Sequence, residues 1–169
     1  MLISDEYRAL NAELHRRNEL YGTTGEHWAP ALAQIAASYE AKSILDYGCG
    51  KGTLAPKLPG FDVREYDPAV PGKDEPPQQA DMVYCGDVLE HVEPECLNAV
   101  LNDLRRLTLK ATMMIVATRP AEKTLADGRN AHLIVKPSRW WLRHILDRWD
   151  IDSFKAINSD MFLCVAVPG

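Results

Sequence analysis

The stretch "SILDYGCGKGTLA", residues 43–55, decides the fold of this chain. It begins with a short apolar segment that ends at Asp46, and it continues into a loop with glycine at positions 48, 50 and 52. An apolar strand that runs into a glycine-rich loop is typical of α/β sheets in which the loop backbone lies against a bound nucleotide or cofactor. We therefore expect a ligand-binding site at the end of this strand.

Two well-known nucleotide-binding loops fit this stretch poorly. A P-loop requires G-x-x-x-x-G-K-[ST], but Lys51 is followed by glycine, and Leu45 stands where the first glycine belongs. The dinucleotide fingerprint G-x-G-x-x-G matches at positions 48 and 50, but Thr53 replaces its third glycine. The first reading therefore fails and the second is weak.

A third pattern, an acid followed by x-G-x-G-x-G, matches fully from Asp46 onward. Its bare backbone lets the amino-acid part of a ligand lie against the strand end, and the aspartate supplies an acceptor for an ammonium group. Asp67, 21 positions later, ends the next predicted strand in "FDVREYDP". A carboxylate about 20 residues after such a loop accepts the hydroxyls of a ribose. This pattern predicts a ligand with both an amino-acid and a nucleoside part.

Three segments together resemble the class I S-adenosylmethionine-dependent methyltransferases: "ILDYGCGKGTLA", "VREYDPA" and "ADMVYCGDVLEHV". The resemblance is greatest to the broad group that includes the ubiquinone-biosynthesis methyltransferases. It covers residues 43–118 by motif and the rest of the chain by the order of elements. The cofactor-binding residues that it implies are Asp46, Tyr47, Gly48, Cys49, Gly50, Asp67, Gly86 and Asp87.

The same resemblance implies a role for each part of this set. Asp46, Gly48 and Gly50 would hold the methionine part of S-adenosylmethionine, and Asp67 would hold the ribose. The turn at residues 86–87 would flank the adenine and the methyl group.

Beyond the glycine loop, predicted strands and helices alternate, and the chain ends in a predicted hairpin of residues 151–159 and 161–167. Alternation predicts a mostly parallel sheet with helices on both faces, a Rossmann-like three-layer α/β/α sandwich to which the hairpin adds one antiparallel strand. A chain of 169 residues is typical of a single domain. We expect residues 1–41 to form N-terminal helices and a lid, and residues 42–169 to form the core.

Local signals predict where individual helices begin and end. Ser4 is a suitable N-cap for a first helix, and Pro30 predicts the start of a second one. The segment "SRWWLRHILDRW", residues 138–149, has the apolar periodicity of an amphipathic helix. Asp127 and Gly128 favour a hairpin turn in the long connection before it.

The resemblance implies a seven-stranded sheet, but one region of this chain is short. Only 14 positions separate Asp67 from Asp81 at the start of the next predicted strand. The family usually places a helix and a further strand there. We therefore expect a fold that is shortened around the third family strand, and the acid that contacts the adenine in the family has no counterpart here.

Net charge and cysteine content limit which partners and which cellular compartment we expect. The net charge is −5, which does not indicate nucleic acid as a partner, although a local basic patch remains compatible with one. The four cysteines form no C-x-x-C pair, which favours a reducing compartment. No apolar run reaches membrane-spanning length. We expect a cytoplasmic protein without a membrane partner, and the sequence leaves the oligomeric state open.

The segment "DVLEH" places two acids and a histidine directly after a predicted strand. Asp87 and Glu90 are three positions apart and would share a face of a helix, and His91 follows them. His132 lies in a later segment that leaves the same edge of the sheet. We expect Asp87, Glu90, His91 and His132 to converge on a divalent cation, Mg²⁺ or Mn²⁺. Some relatives carry an acid-x-x-Glu-His motif here, whose metal would hold the target hydroxyl and lower its pKa.

Metal-free interpretations of these residues stay open. The glutamate and the histidine could cap the turn, as in methyltransferases without a metal. His132 could act as a general base or bond to a backbone carbonyl. We select Asp87 and His132 as candidate catalytic residues.

Two further groups are candidates for ligand contacts. Tyr21, in the loop before the core, lies where relatives often carry a lid. Three basic residues, Arg129, Lys136 and Arg139, could form a phosphate-binding rim.

The function that these patterns favour is methyl transfer from S-adenosylmethionine to an oxygen or a nitrogen. The acceptor would be a small molecule or a nucleotide-like group, with or without assistance from a metal. Two alternatives remain: a non-catalytic protein that binds S-adenosylmethionine, and an NAD-dependent oxidoreductase, since Asp67 also suits the ribose of a nicotinamide cofactor.

Overall fold

A computed structural model describes all 169 residues of the chain. There are four α-helices and six strands, with single 3₁₀ turns at Ala55–Lys57 and Leu89–His91. The helices are α1 (Asp5–Arg17), α2 (Gly25–Ser38), α3 (Leu97–Leu107) and α4 (Ser138–Leu146). The strands are β1 (Ser43–Tyr47), β2 (Asp62–Tyr66), β3 (Ala80–Gly86), β4 (Thr108–Ala117), β5 (Trp149–Asn158) and β6 (Met161–Pro168).

All six strands form one sheet in the order β2-β1-β3-β4-β6-β5. The first four strands are mutually parallel, and β6 runs antiparallel to both of its neighbours. This arrangement confirms the predicted α/β class with its terminal hairpin. The family's seven strands are reduced to six here, which confirms the expected shortening around the third family strand. Residues 67–79, between β2 and β3, contain four prolines and form no strand or helix, so β2 lies at the edge of the sheet.

Each face of the sheet packs against a different set of helices. Helices α3 and α4 cover one face and contribute Leu101, Leu104 and Trp141 to the larger core cluster. Helix α2 covers the other face, where Leu32 and Ala36 are fully buried. The link between β1 and β2 contains only the 3₁₀ turn, so α2 is the one α-helix in that cluster. The sandwich is therefore thinner on the α2 side.

The two N-terminal helices begin differently from each other. Helix α1 starts as predicted, since the Ser4 hydroxyl accepts a hydrogen bond of 3.1 Å from the Tyr7 amide. The predicted start of α2 at Pro30 is wrong, because α2 begins at Gly25 and contains the proline. The turn before Pro30 buries Ala29 against the sheet, and we attribute the longer helix to this packing, which offsets the lost backbone hydrogen bond.

The last helix is shorter than predicted. Helix α4 ends at Leu146, and the buried Trp149 already begins β5. Both halves of the predicted segment are amphipathic, so periodicity alone did not reveal the boundary.

Two simple features complete the fold. All four cysteines are buried and none forms a disulfide. None of the helices combines the length and the apolar character that crossing a membrane requires.

Candidate active site

A cleft lies at the carboxyl ends of β1, β2 and β3, beneath α1 and the loop that follows it. It has about 900 Å³ of empty volume, including its open mouth. This is the edge at which open α/β sheets bind their ligands. Seven of the eight cofactor-binding residues predicted from sequence line it: Asp46, Tyr47, Gly48, Cys49, Asp67, Gly86 and Asp87.

The eighth residue, Gly50, helps to shape the glycine loop. Its amide donates a hydrogen bond of 3.0 Å to Asp67 Oδ2. At the start of the loop, the Gly48 amide donates to the Tyr66 carbonyl at 2.7 Å. Gly48 has φ +82°, and a Cβ at this position would collide with the side chain of Val88. The loop therefore needs glycine for its backbone conformation and for its close approach to the next strand end.

The Asp67 carboxylate links two backbone segments at the floor of the cleft. Its Oδ1 accepts a hydrogen bond of 2.9 Å from the Ala69 amide, and its Oδ2 accepts the one from Gly50. A carboxylate oxygen has two lone pairs. Each oxygen of Asp67 can therefore accept one further hydrogen bond from a ligand hydroxyl.

Several charged side chains lie close to the buried carboxyl group of Asp46. Asp46 is 2% exposed, and burial raises the pKa of its carboxyl group to about 7, with Glu65 and Asp67 adding to the effect and Lys73 opposing it. Lys73 comes from the short segment after β2. It forms a 2.9 Å ion pair with Glu65 and lies 3.4 Å from the Gly50 carbonyl oxygen. Sequence reasoning missed this lysine, since nothing in a proline-rich segment indicates that it folds back over the glycine loop.

Asp87 has an unusual backbone conformation at the end of β3. Its φ is +60°, which is uncommon for a residue with a side chain, although aspartate tolerates it better than most. Its amide donates a hydrogen bond of 3.0 Å to the Ile115 carbonyl. The Thr24 hydroxyl lies 3.4 Å from Asp87 Oδ2, so the loop above the cleft reaches this carboxylate.

Two histidines stand beside Asp87 with their rings nearly perpendicular, 4.7 Å apart between centroids. The Nδ1 atom of His91 lies 2.8 Å from the Ala131 carbonyl oxygen, and that of His132 lies 2.7 Å from the Arg119 carbonyl oxygen. Because a carbonyl oxygen only accepts, Nδ1 carries the proton in both rings and each Nε2 keeps a free lone pair. Burial lowers the pKa of His91 to about 4, with Asp87 opposing this effect.

This cluster has the donor set of a metal site. One ligand atom from each of Asp87, His91 and His132 lies within 4.8 Å of the other two. Histidines that bind metals usually donate their second ring N–H to a carbonyl or a carboxylate, as both rings do here. The three residues could therefore hold a divalent cation and leave coordination positions open.

Glu90, the fourth predicted metal ligand, lies outside this three-residue cluster but beside Asp87. Glu90 is fully buried, and its Oε1 accepts a hydrogen bond of 2.6 Å from the Ala117 amide of β4. Residues three apart share a face only within a helix. Asp87 lies outside the 3₁₀ turn and has a left-handed backbone, yet its carboxylate stays within hydrogen-bond reach of the Glu90 carboxyl group. Burial raises the pKa of the Glu90 carboxyl group well above its usual range, and the Asp87 charge adds to this shift.

Tyr21 lies in the cleft as the lid prediction suggested. Its ring contacts His91 edge-on at 5.8 Å between centroids, and Lys123 Nζ lies 5.3 Å from its ring centroid. The predicted basic rim does not form as one group. Arg129 pairs with Asp127 at 2.7 Å, and Lys136 lines a separate cavity beside the β5–β6 hairpin.

Sequence reasoning also missed a row of polar residues on α1. Tyr7, Asn11 and His15 all line the cleft. Their spacing of four residues was a usable signal. The apolar positions of the same helix gave the pattern from which the helix was predicted, and the polar positions were not considered.

The sequence of residues 15–159 matches the family of methyltransferase domains. This chain belongs to that family. No curated protein matches the methyltransferase by sequence. The resemblance to class I S-adenosylmethionine-dependent methyltransferases is confirmed, and with it the assignment as an enzyme of that class. The alternative of an NAD-dependent oxidoreductase is thereby set aside.

Solved structures show the same fold at low sequence identity. DhpI in complex with S-adenosylhomocysteine is 18% identical, with a TM-score of 0.66 over 96% of this methyltransferase and 97% of that chain. The 1,6-didemethyltoxoflavin-N1-methyltransferase of Burkholderia thailandensis is 15% identical, with a TM-score of 0.70 over 96% and 89% of the two chains. The N-methyltransferase NodS of Bradyrhizobium japonicum WM9 is 12% identical, with a TM-score of 0.63 over 96% and 98%.

Proposed function

We propose that this enzyme transfers the methyl group of S-adenosylmethionine to an oxygen or a nitrogen of a small-molecule or nucleotide-like acceptor. The observation that carries the proposal is the cluster of Asp87, His91 and His132, of which Asp87 and His91 line the cleft. They combine a carboxylate with two histidines whose Nε2 atoms are free. The DhpI and toxoflavin-type structures hold small-molecule ligands, which supports an acceptor of this size.

The cofactor would lie across the floor of the cleft. Asp67 is the acceptor for the ribose hydroxyls, and Asp46 with the backbone at Gly48 and Gly50 receives the methionine part. The turn at residues 86–87, on the other side of β1 from Asp67, faces the reacting methyl group. Support comes from the shared cleft and from the free lone pairs of Asp67.

The transfer is an in-line displacement. The acceptor atom bonds to the methyl carbon, the bond from carbon to sulfur breaks, and S-adenosylhomocysteine leaves. An acceptor hydroxyl must also lose its proton. We assign this proton to His132 Nε2, because its Nδ1–H is held by the Arg119 carbonyl, and we assign to Asp87 the stabilisation of the resulting imidazolium.

A divalent cation, Mg²⁺ or Mn²⁺, is the alternative occupant of the same residues, and His132 Nε2 would then bind the cation instead of accepting the proton. Asp87, His91 and His132 would hold it, and both imidazoles already have the N–H to carbonyl bonds that orient metal ligands. A bound cation would lower the pKa of an acceptor hydroxyl. Oxygen is therefore the acceptor atom that this part of the proposal favours.

Calorimetric titration tests the cofactor assignment. We expect S-adenosylmethionine and S-adenosylhomocysteine to bind the wild-type protein, NAD not to bind, and Asp67→Ala to lose both adenosyl ligands. Asp67→Asn is the matched control for loop structure, since it keeps an acceptor for one of the two backbone amides. Failure of both adenosyl ligands to bind the wild-type protein would exclude the proposal.

Titration with Mn²⁺ alone, followed by electron paramagnetic resonance, tests the metal assignment. His132→Gln should weaken Mn²⁺ binding on the order of 100-fold. Glu13→Gln should retain it, because Glu13 pairs with Arg17 and does not line the cleft. An equal loss in both variants would contradict the ligand set. Full methyl transfer in the presence of a chelator would rule out a role for the metal in the reaction.

A further inference from the structure

One side of α1 carries a row of three polar residues, each with a buried atom that has no hydrogen-bond partner. Tyr7, Asn11 and His15 are four positions apart, so their side chains lie on one face of the helix. All three line the cleft, and each has one buried polar atom without a hydrogen-bond partner: Tyr7 OH, Asn11 Oδ1 and His15 Nδ1. Buried polar atoms of folded proteins are almost always satisfied, so a row of exceptions along a cleft indicates a ligand.

The length of this row matches the cleft beneath it. Eight residues of α-helix rise about 12 Å, which separates Tyr7 from His15 along the helix. His15 lies at the glycine-loop end, because its ring packs on Gly22, whose Cα in turn lies close to that of Gly50. Tyr7 is 3% exposed and lies nearer the start of the helix. The row therefore runs lengthwise over the cleft floor.

The N-terminal segment also lines the part of the cleft that lies beyond the end of β3. The contacts between Ser4 and Glu93 hold it there. Leu2 and Ile3 line the cleft together with Val88 and Val92, which follow β3 in the chain. Four apolar side chains beside one phenol make a slot that suits a flat aromatic base with a polar edge.

Two side-chain contacts hold this segment in place. The Glu93 carboxylate accepts hydrogen bonds from the Ser4 amide at 2.8 Å and from the Ser4 hydroxyl at 2.6 Å. Arg8 Nη1 donates to the Pro68 carbonyl at 2.6 Å. Helix α1 is therefore fixed against the loops that follow β2 and β3, and its polar face is set before any ligand arrives.

We infer that α1 is the ceiling of the cofactor site, and that Tyr7 contacts the adenosine part of S-adenosylmethionine while His15 contacts its amino-acid part. This inference rests on the proposed function. Asn11, between the two, faces the middle of the ligand.

Two ligands can distinguish the contacts made by Tyr7 from those made by His15. S-adenosylhomocysteine has both parts, whereas 5′-deoxy-5′-methylthioadenosine lacks the amino-acid part. Tyr7→Phe should weaken both ligands about tenfold, the loss expected for one buried hydrogen bond. His15→Ala should weaken S-adenosylhomocysteine by a similar factor and leave methylthioadenosine within about twofold of the wild type. Glu13→Gln, a change of the α1 residue that pairs with Arg17, is the control and should alter neither affinity.

A second measurement does not depend on the variants folding. Addition of S-adenosylhomocysteine should shift the NMR signals of the His15 imidazole in the wild-type protein, and methylthioadenosine should shift them much less. Equal affinities in the wild type and in folded Tyr7→Phe and His15→Ala would overturn the inference while the proposed function stands. If the wild-type protein binds neither ligand, the proposed function fails and this inference fails with it.

Discussion

Asp46 couples the charge of a single buried carboxyl group to ligand binding. Its pKa is about 7 in the folded protein, against an ordinary value of 3.8. In the unfolded chain this group loses its proton at lower pH, so the free energy of unfolding falls as the pH rises from about 4 to about 7. A ligand ammonium group beside Asp46 favours the ionised form and reverses this preference.

We therefore expect the affinity for S-adenosylhomocysteine to rise about tenfold from pH 6 to pH 8, because the ionised fraction of Asp46 rises by about that factor. Asp46→Asn should bind weakly and without this pH dependence, yet unfold at a higher urea concentration than the wild type at pH 8. Calorimetry and urea titration at three pH values measure both effects. Parallel pH profiles for the two proteins would contradict the assignment.

A comparison of Gly48 with Gly72 separates the free-energy cost of backbone strain from that of a steric collision. Gly48→Ala places a Cβ at φ +82° and against Val88, whereas Gly72→Ala places one at φ +85° in open space. We expect Gly72→Ala to cost about 1–2 kcal/mol of unfolding free energy, the usual cost of a left-handed alanine. Gly48→Ala should cost at least about 1 kcal/mol more from the collision. Urea unfolding of the two variants decides this, and equal losses would show that Val88 moves aside.

The sequence revealed the residues whose positions are set by a strand and the turn directly after it. Asp46, Gly48 and Asp67 are of this kind, because a strand end fixes where the next few residues lie. The orientation of Glu90 could not be predicted in this way, since it depends on the left-handed backbone of Asp87 and on a hydrogen bond to a distant strand. His15 escaped notice because only the docked position of α1 shows that it faces a cleft.

At the scale of elements, Ser4 is one of two residues, with Arg8, whose contacts attach α1 to the rest of the fold. Ser4 caps the helix through Tyr7 and also binds Glu93. Ser4→Ala removes both hydroxyl contacts, and the loss of a cap alone costs about 1 kcal/mol. We expect faster amide hydrogen exchange throughout residues 5–17 and unchanged exchange in α3.

Mass spectrometry of exchanged peptides measures this effect. Adding S-adenosylhomocysteine should slow the exchange of residues 5–17 in the wild type and in the variant. Exchange of α1 that stays as slow as in the wild type would show that the Ser4–Glu93 contacts do not hold the helix.

The alternation of strands and helices was sufficient to predict the sheet, because parallel strands require crossovers. Two boundaries were not predictable. The start of α2 depends on the burial of Ala29, and the end of α4 depends on Trp149 joining a strand pair with Pro168. Both are tertiary effects that override local propensity.

For the whole molecule, the cleft is the place where the N-terminal segment meets the sheet. A ligand that binds there stabilises only the folded state, by about 2.7 kcal/mol at a concentration of 100 times Kd. We expect S-adenosylhomocysteine at that excess to raise Tm by several degrees. Differential scanning calorimetry measures the shift. A saturating ligand that leaves Tm unchanged would mean that it binds the folded and unfolded chains alike.

The short segment after β2 has a consequence for self-association. The outer edge of β2 pairs with no strand, so its backbone groups could accept a strand from a second molecule, which is how edge-to-edge aggregation begins. This strand has only five residues, and charged side chains occupy three of them: Asp62, Arg64 and Glu65. Asp62 and Arg64 form a 3.3 Å ion pair. Charged side chains on a short open edge disfavour the pairing of a second strand, so Glu65 serves the edge of the sheet as well as the electrostatics around Asp46.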